Sequence, residues 1–137
     1  MQKVILRRPV SVVAVMTETF REQMIKEAEN TLKRIEEDLR QIETESVKYI
    51  ASVSLQNPQQ ASSLTQQMNE EKQRLKTTQV QLDKKIMELE NIKNGTEVPF
   101  QTFDSFIEVG VGDNLYNRLN KTVVVIKDWV VIDIRES

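Results

Sequence analysis

Two kinds of side chain here have the chemistry to act on something else: acids in close pairs, and a scattered set of lysines and arginines. Glu36-Glu37-Asp38 and Glu43 with Glu45 set carboxylates side by side. Acid–base catalysis needs two carboxylates in a shared cleft that drives their pKa values apart. Acids interleaved with lysines and arginines at helical spacing are instead the solvated face of a helix, which is the reading adopted. The bases are Arg7 and Arg8 near the start, and Lys72, Arg74, Lys76, Lys84 and Lys85 in the second half. These seven are the candidate nucleic-acid contacts, since a row of cations can follow a phosphate backbone. Glu70, Glu71 and Asp83 interrupt the row, and no aromatic is interleaved for base stacking. Nucleic acid is therefore the second choice of partner. Arg7, Arg8 and Pro9 also suit an edge strand guarded against aggregation. Gly110-Val111-Gly112 lacks the third glycine and the Lys-Ser/Thr pair of phosphate loops, so a turn or bulge is expected there.

The chain of 137 residues has no cysteine and no histidine. Disulfides, thiolate nucleophiles, histidine bases and Cys/His metal sites are excluded. No catalytic, cofactor-binding or metal-ligating residue is assigned, and neither an enzyme nor a small-molecule substrate is expected. The formal net charge of −2 gives no global basic field. The apolar run Val4-Ile5-Leu6 is too short for a signal-peptide core or a membrane span. No membrane contact and a cytoplasmic location are expected.

The elements that must carry these side chains are mostly long helices. Charged residues make up 29% and aromatics 5%, which suits helices that each bury one stripe. The first helix starts near Thr17 or Thr19, and Thr19 with Glu22 has capping-box spacing. One seam set is Ile25, Leu32, Leu39, Ser46 and Val53; the other is Ala28, Ile35, Ile42 and Tyr49. A seam kept over several heptads argues for a coiled coil. Glu22–Lys26, Glu29–Lys33 and Glu36–Arg40 are i,i+4 pairs on the outer side. Asn57-Pro58 ends this helix, and Gln59 to Ser63 reads as the connecting loop, with Ser62 or Ser63 capping the next helix.

The second helix runs to Asn94, with Gly95 as its stop. Met68, Leu75, Leu82 and Leu89 form one seam set; the companion set Thr65, Lys72, Gln79, Ile86 and Lys93 is mostly polar. Centring the turn near Gln60-Ala61 pairs Leu39 with Leu82, Leu32 with Leu89, Ile35 with Ile86, Ile42 with Gln79 and Tyr49 with Lys72. The hairpin is then about 45–55 Å long at 1.5 Å per residue, tight at its base and loose near its tip. The polar seam, with a small β core, points to oligomerisation.

The ends are β-rich. Val10 to Val15 reads as a strand started by Pro9. Beyond Gly95 come Phe100, Phe103 and Phe106, expected to fill a β interior, and a strand over Ile107–Val111. Asp113 is the expected cap of one helical turn ended by Asn120. Thr122–Ile126 and Trp129–Ile134 are expected strands joined at Lys127-Asp128, with Val130, Ile132 and Ile134 on one face and Asp133 and Arg135 on the other. Trp129 sits where a tight hairpin usually has glycine, so the turn type stays open. Val10–Val15 should join the C-terminal strands.

The fold class is α+β: a long antiparallel helical hairpin (coiled coil) inserted between an N-terminal strand and a small C-terminal β sheet or barrel. The organisation is 1–17 for the first strand, 18–94 for the hairpin with its turn near 57–63, and 95–137 for the C-terminal β base.

The strand leading into Thr17-Glu18, Val111-Gly112-Asp113-Asn114, and Thr122-Val-Val-Val-Ile-Lys-Asp128 before a last Val/Ile strand together resemble the YlqD family of uncharacterised bacterial proteins. The resemblance covers nearly the whole chain and implies no activity, cofactor or catalytic residue. Prefoldin is less similar, because its β elements lie between its helices. The expected function is a non-enzymatic protein-interaction or assembly module. Its coiled-coil arm is expected to be a docking or spacer element, with a homo-oligomer and an unidentified protein as partners. The alternative is an RNA- or ribosome-associated protein using a basic helix face.

Overall fold

The computed structural model describes residues 2–119 and 122–136. In chain order it has β1 (Lys3–Val15), α1 (Glu18–Gln41), a π-helical turn (Ile42–Ser46), α2 (Val47–Ser54), α3 (Pro58–Asn91), β2 (Glu97–Gly110), α4 (Leu115–Arg118), β3 (Thr122–Lys127) and β4 (Val130–Glu136). Two units are formed: Met1–Arg21 with Ile92–Ser137, and Glu22–Asn91. No described helix is long and apolar enough to cross a membrane.

The first unit is a four-stranded sheet in the order β2-β1-β3-β4. The N-terminal strand does join the C-terminal ones: β1 runs antiparallel to β2 and, from Val10 to Ala14, parallel to β3. The strand is longer than expected, because it begins at Lys3 and Pro9 lies within it. Proline has no N–H to give a neighbour, and the β3 pairing starts one residue after it. Up to Pro9, β1 pairs with β2 only and its other side is open, which is where strands tolerate proline.

Strand β2 takes in all three phenylalanines, and they do not share an interior. Successive strand side chains alternate faces, so three-residue spacing sends neighbours to opposite sides. A bulge at Phe100, between the pairs Val12–Gln101 and Val13–Pro99, adds a further twist. Phe100 is half-buried, while Phe103 and Phe106 are exposed.

The β3–β4 hairpin turns at Asp128 and Trp129, which both have positive φ, +48° and +70°. That is a type I′ turn, matched to strand twist but strained for a residue as bulky as tryptophan. Contacts hold the strain in place. The Trp129 ring lies 5.3 Å from Phe100 and 5.8 Å from Phe20, and Phe20 lies 6.1 Å from Phe100. A second bulge leaves Ile132 unpaired between Ile126–Val131 and Val125–Asp133. The expected facing of β4 is corrected by it: Val131 shares a face with Ile134, and Val130 lies with Asp133 and Arg135.

Strands β2 and β4 are separated in the sheet by two others, about 14 Å if it were flat. Yet Arg135 of β4 reaches Glu97 of β2, with Nη2–Oε1 at 2.6 Å. The sheet is therefore strongly curled at this end. Its buried residues include Ala14, Met16, Phe20, Thr122, Val125 and Ile126.

Helix α1 is capped by Thr17, not Thr19. The Thr17 hydroxyl accepts from the Phe20 N–H and donates to Asp128 Oδ1 at 2.5 Å, so one side chain starts the helix and ties down the I′ turn. Arg21 donates to the Ile92 carbonyl and to Asn94 Oδ1. Gly95 N–H donates to the Met16 carbonyl and Met16 N–H to that of Thr96. Helix α3 ends at Asn91, a little before the expected Asn94. Asn114, not Asp113, caps α4, accepting from Asn117 N–H; Asp113 accepts from Gly110 N–H instead. Asn120, expected to end α4, lies outside the described residues. Gly112, at φ +99°, makes the turn read from the Gly-x-Gly.

In the second unit, Asn57 Oδ1 accepts from Gln60 N–H and α3 begins at Pro58. The expected loop is thus the first turn of a helix. Proline at the first helical position loses an N–H that had no partner anyway, and its fixed φ suits the helix. The connection shrinks to Leu55-Gln56-Asn57. Helix α2 and the π turn pack against α3. Ala28, Ile35, Ala61, Leu75 and Leu89 are buried, with Leu32, Leu39, Met68, Leu82 and Ile86 half-buried beside them.

Tyr49 departs from the expected seam: it is exposed, and Ile50 takes the inner place. The π turn explains this, since its wider turn adds a residue before the same face returns. The Thr44 hydroxyl donates back to the Arg40 carbonyl within this segment. Lys72 pairs with Glu43 and not opposite Tyr49. A shallow groove of about 240 Å³ among Ile42, Tyr49, Ile50, Leu64 and Met68 sets Ile50 near Leu64 and Met68. With the shorter connection, the two segments meet about one helical turn away from the expected register. Lys72 is only 17% exposed and Thr65 donates to the Ala61 carbonyl, so these polar seam positions are satisfied within the chain. Their polarity does not require a second chain.

Candidate interaction surface

The seven candidate cations fall in both units. Arg7 and Arg8 belong to the sheet unit and the other five to the helical unit. Arg7 lies 3.7 Å from Asp104 across β1 and β2. Arg8 is half-buried, and its Nη1 donates to the Arg118 carbonyl at 3.1 Å. Lys72 is held by Glu43, and Arg74 clasps Glu71 through two nitrogens, at 2.5 and 3.0 Å. Lys76, Lys84 and Lys85 are exposed along α3. Four of the seven are thus turned towards groups of their own chain. Exposed pairs of this kind are weak and do not bar a phosphate.

The acids read as surface charge are exposed: Glu36, Glu37, Asp38, Glu43 and Glu45. Among the described residues no three acids converge in a way that would hold a metal ion.

The sheet unit has a different kind of surface. Strand β4 is exposed along its whole length, and Val130, Val131, Ile132 and Ile134 each keep 53–63% of their surface in solvent. Ile5, Phe106, Val111 and Tyr116 are more exposed still. Small sheets usually bury such residues. This sheet cannot, because β4 lies at its edge and the Ile132 bulge turns its apolar side chains to both faces. The sequence pointed to a strand here but not to its edge position, which depends on pairing with β1.

At the end of β4, Arg135 clasps Glu97 with two nitrogens, at 2.6 and 2.8 Å, and Asp133 through Nε at 3.1 Å. The hydrogen bonds from Arg135 hold Glu97 below the usual carboxylate range, and Glu97 with Asp133 raises the guanidinium well above its ordinary value. A depressed carboxylate adds stability above its unfolded pKa and loses it as pH falls through the folded one. The sheet unit is thus expected to lose stability below the ordinary carboxylate range. Glu97→Gln should flatten that acid limb, seen in thermal melts followed by fluorescence of Trp129, the one tryptophan. An unchanged acid limb in the variant would show that the clasp adds nothing. Glu71, lowered by Arg74, shifts in the same direction, but it belongs to α3 of the helical unit.

Thr17 is one of the two helix starts the sequence offers, and the capping-box spacing favours Thr19 over it; Phe20 and Arg21 carry no sign of that kind. The Phe20 partners lie far along the chain, so no local pattern marks it. Glu18–Arg21 spacing was the one local sign for Arg21, and it shows only the 3.2 Å pair with Glu18.

The YlqD protein family model matches residues 4–135, nearly the whole chain. The chain belongs to the YlqD family. A crystal structure of a protein of unknown function from Synechococcus sp. WH 8102 has the same fold, with a TM-score of 0.86 at 24% identity over 98% of this chain and 96% of the other. No curated protein matches the chain.

Proposed function

We propose that this YlqD-family protein is a non-enzymatic interaction and assembly module of the cytoplasm. Its sheet unit is the surface for self-association, and its paired helices form a coiled coil that serves as a docking or spacer element. The observation that carries the reading is the exposed apolar run of β4, Val130, Val131, Ile132 and Ile134. Four branched apolar side chains on one edge strand are each more than half exposed there, and an uncovered apolar edge of this kind is open to pairing with another strand. The continuous burial stripe from Ala28 to Ile50 and from Ala61 to Leu89 supports the coiled coil. The absence of histidine and cysteine supports the non-enzymatic part.

Exposed Lys76, Lys84 and Lys85 keep RNA as the competing partner. The two readings separate on salt. Phosphate contacts are strongest at low ionic strength, so the interaction-module reading expects labelled single-stranded RNA to stay free even there. Retention that weakens steeply as salt rises, and is lost when the three lysines become glutamine, would overturn it in favour of RNA.

A further inference from the structure

The two outer edges of the sheet are built differently. Strand β2, at one edge, carries Glu97, Pro99, Asp104 and Glu108 along its length. Proline and charges are the usual means of keeping an edge from pairing with another strand. The other edge, β4, has no proline and no lysine; its charges, Asp133, Arg135 and Glu136, are gathered at its end, and its first three residues, Val130-Val131-Ile132, are apolar. Its outer side has no strand partner among the described residues.

The charges of β4 select the occupant. Asp133 and Arg135 lie on either side of Ile134, one of each sign. When two such strands meet antiparallel with Ile134 opposite Ile134, each Asp133 faces Arg135 of the other copy. Opposite charges directly across a sheet stabilise the pair, and like charges oppose it. In this register the ladder runs from Ile132 to Glu136, each Ile132 facing Glu136 of the other copy, while Val130 and Val131 lie beyond it; a shift of one residue either way loses both Asp133–Arg135 pairs. Asp133 and Arg135 are each about half exposed, and Arg135 already donates to Glu97 and Asp133 of its own chain, so the second copy shares or displaces that clasp.

We infer that β4 pairs with β4 of a second copy of this chain, antiparallel about a two-fold axis at Ile134, making one continuous eight-stranded sheet. The inference rests on the proposed self-association of the sheet unit and names its strand and register. The contact is small, below the ~1,200 Å² of stable standard interfaces, so the dimer belongs to the weak, micromolar class.

The test uses the full chain, whose natural lack of cysteine makes one introduced thiol unambiguous. Residues facing each other across antiparallel strands have Cα atoms about 4.5 or 5.5 Å apart, inside the roughly 4.4–6.8 Å that a disulfide spans. Under mild oxidation Ile134→Cys should lose its monomer band to a cross-linked dimer. Phe106→Cys, at a still more exposed position on β2, should keep it. Asp133→Arg and Arg135→Asp, each checked for native tryptophan emission, should each dissociate the dimer alone and restore it when mixed. Failure of Ile134→Cys to cross-link, equal cross-linking of Phe106→Cys, or no rescue on mixing overturns the inference. If the unmodified chain still sediments as a dimer, self-association stands and only β4 and its register fall. If it is a monomer, both fall.

Discussion

Phe20→Ala is expected to destabilise the sheet unit by about 3–5 kcal/mol, the usual cost of emptying a buried phenylalanine site, with a fall in melting midpoint of roughly 10–20 °C for a chain of this size. Phe20 is 3% exposed and sits against both Phe100 and Trp129. The loss exceeds one cavity. Trp129 holds φ +70°, a conformation costing on the order of 1–3 kcal/mol and kept only where neighbours over-determine it. Removing Phe20 takes away one of the two rings that hold it. Emission from Trp129 should shift to the red at temperatures where the wild type is still folded. A midpoint within a degree or two of wild type would show that the triangle is incidental and that the I′ turn is held by Thr17 alone.

Leu75→Ala is expected to cost about 2–5 kcal/mol in the helical unit, measured as loss of far-ultraviolet helical signal on heating. Leu75 is buried in the middle of α3. Alanine is itself a good helix former, so an α3 standing as a solitary helix would be unharmed or slightly improved. The sign of the change therefore decides whether α3 owes its stability to burial of the seam. Met87→Ala, at a 63% exposed position of the same helix, is the control and should be close to neutral. Equal effects of the two substitutions would argue against seam packing.

Legibility in the sequence followed the reach of each signal. Strands β1, β3 and β4 showed as β-branched runs, and the seam as seven-residue spacing that put Ile35, Leu75 and Leu89 at buried positions. These signals are local and repeat, so they survive without knowledge of partners. Pro58 was ambiguous because proline equally ends one helix and starts another; what decides is Asn57 as a cap, a polar residue that also suits loops. Tyr49 was misplaced because the wider π turn brings Ile50 to the inner face in its stead, and nothing in Ile42–Ser46 announces a π turn by composition.

The phenylalanines were misplaced for another reason. Their clustering in the sequence suggested a shared core, but three-residue spacing in a strand forbids one. The candidate surface was the least legible part. That β4 is an edge follows from β1 pairing with β3, a contact across more than a hundred residues. Without it, Val130–Ile134 reads as core.

Sedimentation equilibrium of the intact chain over a range of micromolar concentrations, at moderate salt and without any partner, tests the central claim most directly. A reversible monomer–dimer equilibrium is expected, whose dimer fraction rises with concentration and falls on Ile134→Lys. A single monomeric species at every concentration would contradict it, and the exposed β4 would then have to be explained by a different protein.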